Sequence, residues 1–345
     1  MSIGWAFMPP EFDIISRYFS FQSLPRDRSG VVLGVGDDAA VVDLDARRLV
    51  VATDTLVEGV HFPAGMAATH VASRALGVNL SDFAAMGATP RWLTLALTLP
   101  SAEVEWLQSF AAELARLCRN YCVELVGGDT THGPLAITFT VMGEPLRRDR
   151  AELLTRAGAK VGDSVWLSGY TGYAAAALAL LQARWQDDEP DTSQRAEMLQ
   201  AFYAPQPRLQ LGHALVGIAT AAIDVSDGLL ADAGHIARQS GVAIAIDGDS
   251  LPVHPQLRDY ANRAVMQQWV LAGGDDYELL FTVPADREQC VDTLQASVAC
   301  SRIGRVCAPV AGRTDVFLRG EDWQLAARQA QGYQHFSCDT GGDDE

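Results

Sequence analysis

LVVATDTLVEGVHF, Leu49–Phe62, joins an apolar, β-branched run to the polar trio Thr53, Asp54 and Thr55. The apolar part has the residue types of a buried strand. The expectation is a strand that ends in a carboxylate, which is costly to bury alone. The same construction recurs along the chain: VVLGVGDDAA (31–40), VNLSDFAAMG (78–87), VELVGGDTTHG (123–133), AAIDVSDGLL (221–230) and VLAGGDDYELLF (270–281). Taken singly, each is what a turn or a helix cap uses, because Asp and Gly are common turn residues. Turns do not require that every carboxylate follow an apolar run. Together the six segments point to one shared cation site.

Donor chemistry selects the cation. The candidates are carboxylates and hydroxyls, and no His/Cys cluster has zinc spacing. Oxygen donors favour Mg²⁺, Ca²⁺ or Mn²⁺, and Mg²⁺ completes its shell with phosphate oxygens. The net charge of −17, from 26 basic and 43 acidic residues, agrees. It speaks against a nucleic-acid partner, and it would repel an anionic substrate unless cations intervene. Lys160 is the single lysine. Neither GxxxxGK[ST] nor GxGxxG occurs. Asp224, Ser226 and Asp227 instead fall at a strand end and helix start, where backbone N–H groups suit phosphate. His61 and His132 lie beside these segments, and Arg156, in LLTRAGAK, is read either as a solvated arginine or as a phosphate contact. No nucleophile dyad is evident.

The six cysteines read as reduced thiols. The N-terminus lacks the basic region of a signal peptide, and no apolar stretch approaches the ~20 residues of a membrane span. A cytoplasmic protein is expected. The length of 345 residues suggests two domains. We set residues 1–148 as the first, 149–337 as the second, and 338–345 as an acidic tail. Helices are expected over 11–21, 69–86, a Ser101-capped stretch through Tyr121, 173–184, 208–218 and 229–240, the last capped by Ser226. Strands are expected over 31–35, from Leu49 to an end at Thr53, Asp54 and Thr55, and over 91–99, 135–142, 164–168, 221–225, 242–246 and 277–283. GGDTTHGP is read as the exit of a further strand.

In this order GVGDDAA, ATDTLVEGVHF, VNLSDFAAMGA, GGDTTHGP, LLTRAGAKVGD, AIDVSDGL, GGDDYEL and GYQHF resemble the thiamine-monophosphate kinase family. That family is part of the superfamily of aminoimidazole-ribonucleotide synthetase and selenophosphate synthetase. The resemblance runs from about Phe12 to Phe336. It implies an α+β fold of two α/β-type domains, with N-terminal domains pairing in a homodimer. It implies ATP-dependent phosphorylation of thiamine monophosphate to thiamine diphosphate, by direct in-line transfer with several Mg²⁺ ions. Carried over by motif, Asp38, Thr53, Asp54, Asp82, Asp129, Asp224 and Asp227 are the expected metal ligands. Gly128, Asp129, Arg156 and Ser226 are the expected ATP contacts, and His61, Asp275 and Tyr333 the substrate contacts. Ala52 stands where the family often has Ser, and Asp275 where it often has Glu.

Overall fold

The computed structural model describes residues 15–19, 30–33, 41–42, 44, 48–146, 152–185, 190–260, 262–294, 298–309, 315–320 and 323. Asp38 and Tyr333, the tail at 338–345 and the proposed boundary at 148/149 lie outside the described residues.

The first half runs β1 (Val31–Leu33), β2 (Val41–Val42), β3 (Val50–Val57), α1 (Ala68–Ala85), β4 (Ala88–Leu99), α2 (Val104–Tyr121), β5 (Glu124–His132) and β6 (Ala136–Pro145). A four-stranded sheet forms in the order β3-β6-β4-β5. Strand β6 is antiparallel to β3 and β4, while β5 runs parallel to β4. Helix α2 has a strongly one-sided pattern, and Leu107, Phe110, Leu114 and Cys118 are buried. Helix α1 differs: fifteen of its residues are buried, on every side. A helix apolar all round belongs inside a protein. Here it packs on the first sheet through Ala72, Leu76 and Phe83, and on the second half through Ala84 and Ala85.

The second half runs β7 (Ser164–Ser168), α3 (Tyr173–Leu181), α4 (Thr192–Tyr203), α5 (Leu209–Leu215), β8 (Ala221–Asp224), α6 (Leu229–Ser240), β9 (Ala243–Asp247), α7 (Pro255–Tyr260), α8 (Arg263–Ala272), β10 (Leu279–Val283), α9 (Glu288–Leu294), β11 (Cys300–Cys307) and β12 (Val316–Arg319). Its six-stranded sheet has the order β12-β9-β11-β7-β10-β8. Helix α5 meets α1 so closely that a Cβ on Gly212 would stand 2.0 Å from the Ala84 carbonyl oxygen. Glycine is required there. Among the described residues no helix is long and apolar enough to cross a membrane.

Several local expectations are corrected. Strand β3 continues to Val57, so Asp54 lies inside it rather than at its end. GGDTTH is strand, not exit loop, because Gly127 to His132 pair with Thr94 to Leu99. Ser101 does not cap α2: the cap position is Glu103, and the Ser101 hydroxyl donates to the Glu103 carboxylate. Of the helix expected over 11–21, Ile15–Phe19 is described, as a single π-type turn.

Candidate functional site

A cavity of about 770 Å³ opens between the two halves. Strand β3 contributes Thr53 to Val57 and the following turn contributes Gly59 to Pro63; α1 adds Arg74, Val78 and Asp82. From the second half come Arg156, Ala175, Leu178, Gln182, Phe202, Asp224, Ser226, Asp227, Gly274, Asp275 and Tyr277. Nine sequence-predicted residues line it: Thr53, Asp54, His61, Asp82, Arg156, Asp224, Ser226, Asp227 and Asp275, although Thr53 turns its hydroxyl to Thr140 on the far face of the sheet.

At the polar end, the carboxyl groups of Asp54 and Asp82 lie close enough to bear on each other's titration. Burial, with the charges of Asp224 and Asp54 adding to it, pushes Asp82 up to about 8. Burial likewise raises Asp54 and Asp224. Asp224 accepts a 2.7 Å hydrogen bond from Ser81 Oγ. The Asp54 N–H donates to Asn79 Oδ1, which ties β3 to α1. The guanidinium of Arg156 favours the charged forms of both Asp82 and Asp224. Three carboxylates, Asp224 buried and Asp54 and Asp82 half-buried, are the oxygen donors a divalent cation needs; such an ion would favour their deprotonated forms.

The pH dependence follows by sign. A carboxyl group raised on folding adds stability below its unfolded value near 3.8, and this is lost as pH rises through the folded value, for Asp82 about 8. The melting temperature of metal-free protein is therefore expected to fall between about pH 5 and pH 9. Saturating Mg²⁺ should flatten the slope, because the ion prefers the deprotonated groups. Thermal melts across this range, with and without Mg²⁺, check it; parallel curves would count against a cation on these carboxylates.

The segment Ser226–Gly228 behaves otherwise than the sequence suggests. Ser226 does not cap α6; the cap position is Gly228, at φ 116°. The N–H groups of Ser226, Asp227 and Gly228 all donate to Asp232 Oδ2, at 3.1 to 3.2 Å. Those donors are thus already taken by a carboxylate of the chain. Burial, reinforced by Asp224 and Asp227, raises Asp232 to about 7. Asp227, Asp232 and His235 bring ligand atoms within 4.8 Å of one another. Asp232 and His235, one turn apart on α6, were not singled out from sequence.

The adjacent carboxylates of GGDDYEL part company. Asp275 faces the cavity, while Asp276 accepts from Gly172 N at 2.7 Å and Ala174 N at 3.2 Å. Asp276 thereby caps α3, whose own cap position, Gly172, supplies no side chain. Asp276→Ala would leave buried donors unsatisfied and is expected to cost about 1–3 kcal/mol. Denaturant titration checks this; an unchanged midpoint would remove the capping role.

At the apolar end, His61 Nδ1 accepts from Val57 N at 2.9 Å. In the neutral ring the proton then sits on Nε2. Phe62, Pro63, Val60, Leu178 and Phe202 form the walls.

Two predicted residues lie elsewhere. Gly128 and Asp129 are on β5, the sheet edge opposite β3. Register puts Asp129 beside Ala96, then Thr138 and Thr55, on the sheet's outer face. Thr53 shares this face: its hydroxyl donates to Thr140, and Thr55 pairs with Thr138. Asp54 points to the other face, toward α1. The expected ligand set is thus divided by the sheet, with Asp54, Asp82, Asp224 and Asp227 on the cavity side.

Comparison with known proteins gives matches along both halves. Residues 36–144 match the family model for the AIR synthase related protein N-terminal domain, and residues 160–316 that for the C-terminal domain. The chain is 41% identical over 330 residues to thiamine-monophosphate kinase of Salmonella typhimurium, spanning 95% of this chain and 98% of that one. The crystal structure of thiamine-monophosphate kinase from Stenotrophomonas maltophilia superposes with a TM-score of 0.78 at 40% identity, over 90% of this chain and 96% of that one. AaThiL complexed with AMPPCP and TMP gives 0.71 at 29% identity, over 94% and 96%.

Proposed function

The chain belongs to the AIR synthase related family and, within it, to the thiamine-monophosphate kinases, and from that premise we propose that its cavity transfers the γ-phosphoryl group of ATP to thiamine monophosphate. The enzyme is a phosphotransferase whose acceptor is a phosphate and whose product is thiamine diphosphate. The observation that carries this reading is the cavity itself, with clustered carboxylates at one end and an apolar, aromatic wall at the other. AMPPCP is a non-hydrolysable relative of ATP, and its complex with AaThiL supports ATP as the co-substrate.

The acceptor sets the demands on the protein. A phosphate monoester has a second pKa of about 6, so it is already an anion at neutral pH. No general base is required, and no catalytic nucleophile is assigned. What remains is to bring two anions together in line. Asp54, Asp82, Asp224 and Asp227 would hold Mg²⁺, which supplies charge neutralisation on the phosphates when bound. Arg156, which lines the cavity and bears electrostatically on Asp82, would contact phosphate oxygens. His61, whose ring is held by the Val57 N–H on Nδ1, would contact the substrate side. Asp275 provides an anion for the cationic heterocycle of thiamine. The apolar wall desolvates that heterocycle and keeps water from competing as acceptor.

The outer sheet face supports pairing of N-terminal domains in a homodimer. Val51 is 54% exposed on this face, which also carries the threonine rows and, at the opposite edge, Asp129. A second copy laid on this face would give Thr53, Gly128 and Asp129 a site to share. Sedimentation is expected to report a dimer; a fully active monomer at micromolar concentration would remove the pairing.

The test of function is product analysis with ATP and Mg²⁺, with and without thiamine monophosphate. ADP stoichiometric with thiamine diphosphate is expected, and its loss in excess chelator. Free phosphate released in place of thiamine diphosphate would identify a phosphatase and overturn the reading.

A further inference from the structure

Arg74 carries a charge that the reaction as described does not use. It stands in the middle of α1 with its side chain 2% exposed. A guanidinium so placed is costly unless its charge is paired and its donors are met. Three separate segments meet them. Nε donates to the His61 carbonyl at 3.1 Å, one terminal nitrogen to the Phe202 carbonyl at 3.0 Å, and the other to Asp275 Oδ1 at 2.7 Å. The Phe202 ring lies against the guanidinium, 4.0 Å from its carbon. All four residues line the cavity.

The partner is held with equal care. Asp275 Oδ1 also accepts from the Tyr277 hydroxyl at 3.0 Å. Both bonds fall on one oxygen, and among the described residues no hydrogen bond reaches Oδ2. Asp275 itself has φ 71°, a left-handed conformation that a non-glycine residue keeps only where its surroundings hold it. Its N–H donates to the Ser226 carbonyl at 2.9 Å, and Gly274 passes close to the same oxygen.

We propose that Arg74 is a positioning residue for the substrate end of the cavity. Resting on the assignment of Asp275 to the thiamine side, it anchors Oδ1 so that Oδ2 is presented to the cationic heterocycle of the substrate. The same guanidinium fixes the His61 turn and the C-terminal end of α4, so three walls are set by one group. Arginine is required because its planar fork reaches three acceptors at once; an ammonium is a point donor. The pair also has an electrostatic function. Arg74 alone would repel a cationic heterocycle, and Asp275 cancels that charge.

The test is a double-mutant cycle of Arg74→Lys and Asp275→Ala, with Arg74→Gln carried in parallel and melting curves on every variant. In whichever Arg74 variant melts cooperatively, kcat/KM for thiamine monophosphate should fall about 10–100-fold, mainly through KM. KM for ATP should stay within about twofold, which a general loss of structure would not allow. The double variant should lose less than the product of the two single losses, since the Arg74–Asp275 contact is removed in both single variants. Unchanged KM for thiamine monophosphate in a folded Arg74 variant, or losses that multiply in the double variant, would overturn the proposal. If Asp275→Ala itself leaves KM for thiamine monophosphate unaltered, the substrate-side assignment of Asp275 fails first, and the two failures are told apart.

Discussion

Asp54→Asn is expected to lower turnover by about 10²–10³-fold while leaving the melting temperature of the metal-free protein unchanged or slightly higher. The side chain sits inside β3, and its backbone is paired with β6 at Phe139 and tied to Asn79 Oδ1. Asparagine keeps the shape and leaves that backbone bonding intact. What it removes is one of the carboxylates crowded against Asp82 and raised by burial. If Asp54 merely completes a strand, asparagine costs nothing in activity. If it holds the ion that neutralises phosphate, a contact of the preorganised electrostatic kind is lost. Turnover at saturating Mg²⁺, measured beside the melting curve, separates these. Wild-type activity would end the metal-ligand assignment for Asp54.

The site was legible as a set of residues and illegible as a geometry. The repeated pattern of an apolar run followed by Asp brought out Asp54, Asp82, Asp224 and Asp227 because a buried carboxylate needs a reason to be there. Sidedness was not available, because which face a strand residue takes depends on register. Thr53 and Asp54 are neighbours in sequence yet lie on opposite faces of the sheet, and Asp129 shares the face of Thr53. Turn chemistry misled at GGDTTH: Gly and Asp favour turns, but pairing with β4 overrode that preference. Helix α4 went unread because little of it is buried, chiefly Met198 and Phe202. Its start was readable, since Asp191 and Gln194 form a capping box. Asp275 and Asp276 look equivalent in sequence, and only the packing of α3 shows that Asp276 belongs to a helix end. Arg74 gave one faint signal, the single arginine of a helix that is buried on every side, whose partners lie 128 and 201 residues away.

Asp224→Asn offers the sharper separation of stability from function. Asp224 closes β8, is buried, and accepts from Ser81 Oγ at 2.7 Å. Burial raises it, and Asp54 adds a repulsive charge. In the metal-free protein this carboxylate therefore opposes folding whenever it is ionised, whereas asparagine can keep the Ser81 bond through its carbonyl oxygen and carries no charge. The metal-free variant is expected to melt at a higher temperature than the wild type above about pH 7, where the wild-type cluster is losing protons. Turnover is expected to fall by about 10²–10³-fold, since the cluster would have lost a ligand at the junction of the two sheets. Stabilisation by Mg²⁺ should shrink together with turnover, because ligand-linked stability follows affinity. A residue kept for packing predicts the reverse: lower melting temperature, near-normal turnover and an unchanged response to Mg²⁺. Differential melting with and without the ion, on the same preparation used for kinetics, reads all three, and a variant that melts lower yet turns over normally would return Asp224 to a structural role.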